Sequence, residues 1–243
     1  MLARLLNSTA ENPEVVFVRD EMEAAVQLEQ ETPKLTLSMI LSDKSDIKYG
    51  RRVLLCFTLQ AFQQLTGINA VVFYITIVLE QNVGLKAETA SLVAGFIELA
   101  FVVGCIPPIF YLDKLGRRPV LMAGSIGLAI IVSIFTASIA VPGKQTANLA
   151  LAMLICYQLW FAFTWNTIPW IYPPEITPLR IRHIGSAAGP FAEWLFTYII
   201  VSILPVAIAR TGWRIYLLFI FAMIANVPIL YFFMPVSLFE FNL

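Results

Sequence analysis

Six long stretches of this sequence contain no lysine or arginine: 53–85, 87–113, 119–143, 145–179, 183–209 and 215–243. Charge is scarce throughout, at 13% of residues against 59% apolar, about half the charged share of a soluble domain. A soluble globular protein of this composition would leave much apolar surface in water, so that class is excluded. The net charge is zero, and no nucleic acid or other polyanion is expected as a partner. The three cysteines, Cys56, Cys105 and Cys156, fall in separate apolar stretches without paired spacing, which excludes a disulfide framework and a zinc site. The single histidine, His183, sits in a turn without a metal-ligating or nucleophilic cluster beside it, so neither enzyme chemistry nor a cofactor is expected. The first six residues are followed at once by polar ones, without the apolar run of a signal peptide, and insertion is expected to depend on later segments.

Each stretch without lysine or arginine exceeds the ~20 residues needed to cross a bilayer core. Helices are predicted near 53–79, 89–112, 119–141, 148–172, 186–209 and 214–234, because an open strand would leave its amides unpaired in lipid. Turn residues separate them, with Pro142-Gly143 after the third and Thr211-Gly212 after the fifth. The fold class is therefore an all-α membrane protein of six transmembrane helices, with residues 1–52 a helical segment outside the bilayer and 53–243 the bundle. With the N-terminus in the cytosol, the cytosolic segments hold seven, three and two basic residues, against four in the outer loops. The positive-inside rule then puts both termini in the cytosol. Residues 1–52 carry half of all the charges, and Asn12-Pro13-Glu14 within them reads as a helix start.

Polar residues inside the spans carry the functional signal. The first span holds Gln60, Gln63, Gln64, Thr66, Gly67 and Asn69; Gln63, Gly67, Ala70 and Tyr74 share one helical face. Carboxamides both donate and accept, which suits hydroxyl-rich ligands such as sugars. They also suit hydrogen bonding between helices, and the spacing leaves both readings open. Glu98 and Glu193 lie well inside spans, where an acid is a functional candidate by default; both are candidates for proton exchange, with a structural role the alternative. Pro169 is expected to break the fourth span. Trp165 and Trp170 flank it, and either a sugar ring or an interfacial aromatic belt would account for them. Two charged turns, Asp113 to Arg118 and Glu175 to Arg182, are placed to form an ion-pair network.

The run Gln63-Gln64-Leu65-Thr66-Gly67-Ile68-Asn69 with Phe73-Tyr74, the turn Asp113 to Arg118 (D-x-x-G-R-R), and Tyr172-Pro173-Pro174-Glu175 continuing through Pro178 and Arg182 occur in order between the predicted helices. Together they resemble the sugar porters of the major facilitator superfamily, fungal members most of all. The resemblance implies one half of a twelve-helix fold, built from two inverted three-helix repeats. It implies alternating-access transport of a mono- or disaccharide, with sugar and lipid bilayer as partners, in the plasma membrane. On that resemblance Gln63, Gln64 and Asn69 contact the sugar, Tyr74 lies near the outer gate, and Trp170 and Trp194 line the cavity. Asp113, Arg117, Arg118, Glu175 and Arg182 form the inner charge network.

The sequence departs from the pattern at several places. Asn166-Thr167 stands where the family has Gly-Pro, Phe101 where some members have a sugar-contacting Asn, Glu193 where an Asn precedes the tryptophan, and Pro235-Val236-Ser237 where the last helix ends in P-E-T. The six predicted helices correspond to the C-terminal half only, so an N-terminal six-helix half is an expected partner. The alternatives are a fragment without transport activity, a subunit that needs such a partner, and a sugar-sensing membrane protein.

Overall fold

The computed structural model of the chain describes residues 12–31, 48–80, 84–141 and 143–234. They divide between two compact units, Met1–Gly50 and Arg51–Leu243. In the first, helix α1 (Pro13–Glu31) begins where Asn12-Pro13 predicts it. Pro13 needs no N–H in the first turn, and the Asn12 carbonyl accepts from the Val16 amide at 3.0 Å.

The second unit is all-helical among its described residues. Five segments are long and apolar enough to cross a bilayer: Tyr49–Val78, Ala87–Gly104, Arg117–Ala140, Gln145–Ile176 and Leu179–Phe233. The fifth holds two helices, α9 (Arg182–Thr211) and α10 (Tyr216–Phe233), parted at Gly212 with φ +57°. The six predicted spans are therefore present. Their helices start earlier than expected in five cases, because hydropathy marks where the hydrocarbon begins and not where a helix starts. Pro142 and residues 235–237 lie outside the described residues.

Three spans are interrupted. Hydropathy predicts the first as one helix over 53–79, but it divides into α2 (Tyr49–Leu65) and α3 (Ile68–Val78). Gly67 lies between them at φ +92°, and a Cβ there would meet the Phe219 ring at 3.0 Å. Only glycine adopts that backbone without strain. The single polar face expected for Gln63, Gly67, Ala70 and Tyr74 is therefore divided at its second member. The second span bends between α4 (Ala87–Gly104) and α5 (Pro108–Leu115), where Pro107 and Pro108 supply no amide protons. The fourth breaks between α7 (Lys144–Thr164) and α8 (Ile168–Ile176), and Pro169 falls in the first turn of α8.

Helix α6 (Arg117–Ala140) runs unbroken and packs against both α7 and α10. The α6–α7 contact is close at Gly127, where an added Cβ would run into the Trp160 indole. Close approach through small residues is how helices associate in lipid. Trp160 Nε1 donates to the Gly124 carbonyl at 3.2 Å, and Trp165 Nε1 to Ser125 Oγ at 3.2 Å.

Candidate functional site

The interruptions in the first and fourth spans meet. When a helix breaks, carbonyls near the break lose their amide partners and must find donors elsewhere. Gln60 Nε2 donates to the Pro169 carbonyl at 3.2 Å. Gln63 Nε2 donates to the Trp165 carbonyl at 3.0 Å and to that of Asn166 at 3.4 Å. Gln63 thus binds the unwound backbone between α7 and α8, and Gln60 a carbonyl in the first turn of α8 whose helical donor position is taken by Pro173, which has no N–H. The neighbouring Tyr157 hydroxyl of α7 donates to the Thr66 carbonyl at 3.2 Å, beside the break in the first span.

A second group of contacts joins α3 to α9. Asn69 Nδ2 donates to Gln64 Oε1 and, at 3.1 Å, to Thr197 Oγ1. The Tyr74 hydroxyl donates to the Val201 carbonyl at 2.8 Å. Gly189, eight residues before Thr197 on the same face of α9, lets that helix approach Gln60, whose Cγ would be 3.3 Å from an added Cβ. Glu193 lies between Gly189 and Thr197 at helical spacing, so it shares the face turned toward α2 and α3.

The amides are nearly inaccessible: relative exposure is 0% for Gln60, 3% for Gln63 and Gln64, and 7% for Asn69. The nitrogens of Gln60, Gln63 and Asn69 are engaged, but three buried acceptor atoms, Gln60 Oε1, Gln63 Oε1 and Glu193 Oε2, have no hydrogen-bond partner. A buried acceptor without a donor is destabilising by roughly 1–3 kcal/mol. The cavity beside Thr66, Gly67 and Tyr157 has a volume of about 20 Å³, room for about one water. Unlike the amides, the tryptophans are open, with Trp170 47% and Trp194 69% exposed.

The charged turns form a compact cluster. Arg117, buried at the start of α6, donates from Nε and Nη2 to the two oxygens of Glu175 at 3.1 and 2.8 Å. Its Nη2 also donates to Asp113 Oδ1 at 3.0 Å, and its Nη1 to the Leu112 carbonyl at 3.1 Å. The two-pronged guanidinium matches the carboxylate, and α5, α6 and α8 are held together by it. Arg118 turns away: it donates to the Tyr231 carbonyl and stacks 4.6 Å above the Tyr231 ring. Arg182 is exposed and has no ion pair among the described residues.

Glu98 stands apart on α4, where its Oε1 accepts from Gln158 Nε2 of α7 at 2.8 Å. Sequence reading did not single out Gln158, although a lone amide in the predicted 148–172 span carries the same signal as those of the first span. Gln60 and Thr197 contribute more than their sequence positions suggested. Asn226, 1% exposed in α10 with its Nδ2 unpartnered, was also passed over.

The family model for sugar (and other) transporters matches residues 1–241. The chain is 30% identical to the sugar transporter STL1 of Saccharomyces cerevisiae, over 76% of this chain and 32% of that protein. It is 28% identical to the high-affinity glucose transporter 1 of Candida albicans, over 89% and 43%. Among solved structures, a double-tryptophan mutant of XylE superposes with a TM-score of 0.74 at 22% identity, covering 93% of this chain and 46% of that one. An inward-open structure of the xylose transporter XylE from E. coli superposes with a TM-score of 0.69 at 20% identity, covering 98% and 46%. The chain thus spans about a third to a half of the length of the proteins it matches. With the family model covering nearly every residue, the chain belongs to the sugar transporter family of the major facilitator superfamily.

Proposed function

We propose that this chain supplies the C-terminal half of an alternating-access sugar carrier, and that the amides of α2 and α3 form its share of the sugar site. The observation that carries the reading is the imbalance in the polar cluster. The nitrogens of Gln60, Gln63 and Asn69 are bound to backbone carbonyls, Gln64 and Thr197, whereas Gln60 Oε1, Gln63 Oε1 and Glu193 Oε2 are buried acceptors without donors. A sugar carries many O–H donors on a small frame. Gln60 and Gln63 therefore act in both of the ways their sequence allows, with nitrogens bridging helices and oxygens left for a ligand. In twelve-helix carriers of this kind substrate lies at the midplane between two six-helix halves, and the cavity of about 20 Å³ beside Gly67 is lined by none of these amides and is not that site. The second wall belongs to an N-terminal half. On this reading the Arg117–Glu175 cluster lies at the cytosolic end and latches it in one conformation.

The test is uptake of radiolabelled hexoses into liposomes containing this chain alone, and the chain joined to an N-terminal six-helix half from the family. Saturable uptake is expected only in the joined protein, and Gln63→Ala should weaken sugar binding there about tenfold, the loss of one good hydrogen bond. If the joined protein folds but binds hexoses equally well with Gln63→Ala, the amides only hold helices together and the proposal fails.

A further inference from the structure

Glu98 sits in a span, half-buried against α7, and takes no part in the amide cluster. It receives one hydrogen bond, from Gln158 Nε2 at 2.8 Å. Gln158 is completely buried, and its Oε1 has no donor. Cations are distant. On α7 the described titratable side chains are Cys156 and Tyr157, the latter bound through its hydroxyl to Thr66. Lys144 begins that helix fourteen residues away, about 20 Å along its axis. On α3, which also packs against α4, Tyr74 is bound to the Val201 carbonyl. On α4 itself the other acid is Glu88, ten residues away, about 15 Å along the helix. Among the described residues no cation pairs with Glu98.

An ionised Glu98 would thus be a carboxylate in an apolar span with one donor, next to an amide oxygen with none. Both deficits have the same remedy. A neutral carboxyl donates its O–H to Gln158 Oε1 while its carbonyl accepts from Gln158 Nε2, closing a ring of two hydrogen bonds. We infer that Glu98 and Gln158 form a proton-binding site between α4 and α7, in which Glu98 holds its proton at neutral pH. The site is separate from the sugar site, and the inference stands whether or not the amides bind sugar. Its placement gives it reach: Tyr157 and the Trp165 carbonyl, on the same helix and its break, are bound to α2 and the Thr66 break. Loss of the proton sets carboxylate against amide oxygen and weakens the α4–α7 contact.

Infrared difference spectroscopy on the chain in lipid bilayers tests this, comparing wild type with Glu98→Gln at neutral pH in light and heavy water. The variant keeps an amide oxygen for Gln158 Nε2 to bond. The expected result is loss of one protonated-carboxyl stretching band in Glu98→Gln, with Glu193 contributing equally to both samples. Loss of carboxylate bands instead overturns the inference, and one of the two must be lost. In Gln158→Leu, which retains Glu98, the band should move to the higher frequency of a carboxyl without hydrogen bonds. An unmoved band there overturns the pairing.

Discussion

The amides of α2 and α3 are buried and uncharged, whereas Arg117, Asp113 and Glu175 carry three charges, and the Asp113 side chain remains 88% exposed. Both clusters join several helices where the chain turns or breaks. They differ in what surrounds them. Within a span an unpaired charge is expensive, so the breaks there are closed by carboxamides, which satisfy stray carbonyls without bringing a charge. At the start of α6 water can solvate the outer carboxylate, and a guanidinium can serve two acids and a carbonyl together. Neutral groups thus bear the contacts that must remain dry, and ionic groups those that can open to water.

Substitutions can break or sharpen this contrast. The largest loss is expected for Arg117→Ala, which leaves Glu175 and the Leu112 carbonyl without their shared donor; breaking a buried pair costs about 3 kcal/mol. Unfolding in mixed micelles titrated with SDS measures it, and a loss below 1 kcal/mol would show that the cluster adds little to the fold. Gly67→Ala should cost about 1–2 kcal/mol, the left-handed penalty for a residue with a Cβ, added to the approach to Phe219. Gly95→Ala is the control, with open space around an added Cβ and helical backbone. Equal stability of the two would mean the first span does not need its break. Asp113→Asn should change stability least, by about 0.5 kcal/mol or less, because its carboxylate is solvated. An effect as large as that of Arg117→Ala would place Asp113, and not Glu175, at the centre of the cluster.

The spans were legible because the absence of lysine and arginine is a direct physical requirement of crossing lipid. The charged turns were legible for the converse reason, since Asp113 and Glu175 have no topological task that would otherwise explain them. The break at Gly67 was not, because one glycine in a helix-period pattern is compatible with continuing the helix; the packing of Phe219, some 150 residues later, accompanies its left-handed conformation. The pairing of Gln63 with the carbonyls of Trp165 and Asn166 was hidden for a similar reason. Periodicity reports which side chains share a face, and says nothing of backbone groups exposed where a distant helix unwinds. Pro169 did announce that unwinding.

The bonds from Gln60 and Gln63 to the fourth span have a mechanical consequence. The first and fourth spans each have a joint along their length, at Gly67 and between α7 and α8. Fastened across their joints, they behave as a coupled linkage: bending one tugs on the carbonyls that define the other. On the proposed function, a sugar hydroxyl at Gln63 Oε1 presses on the same side chain that ties the joints together, so occupancy is felt in both at once.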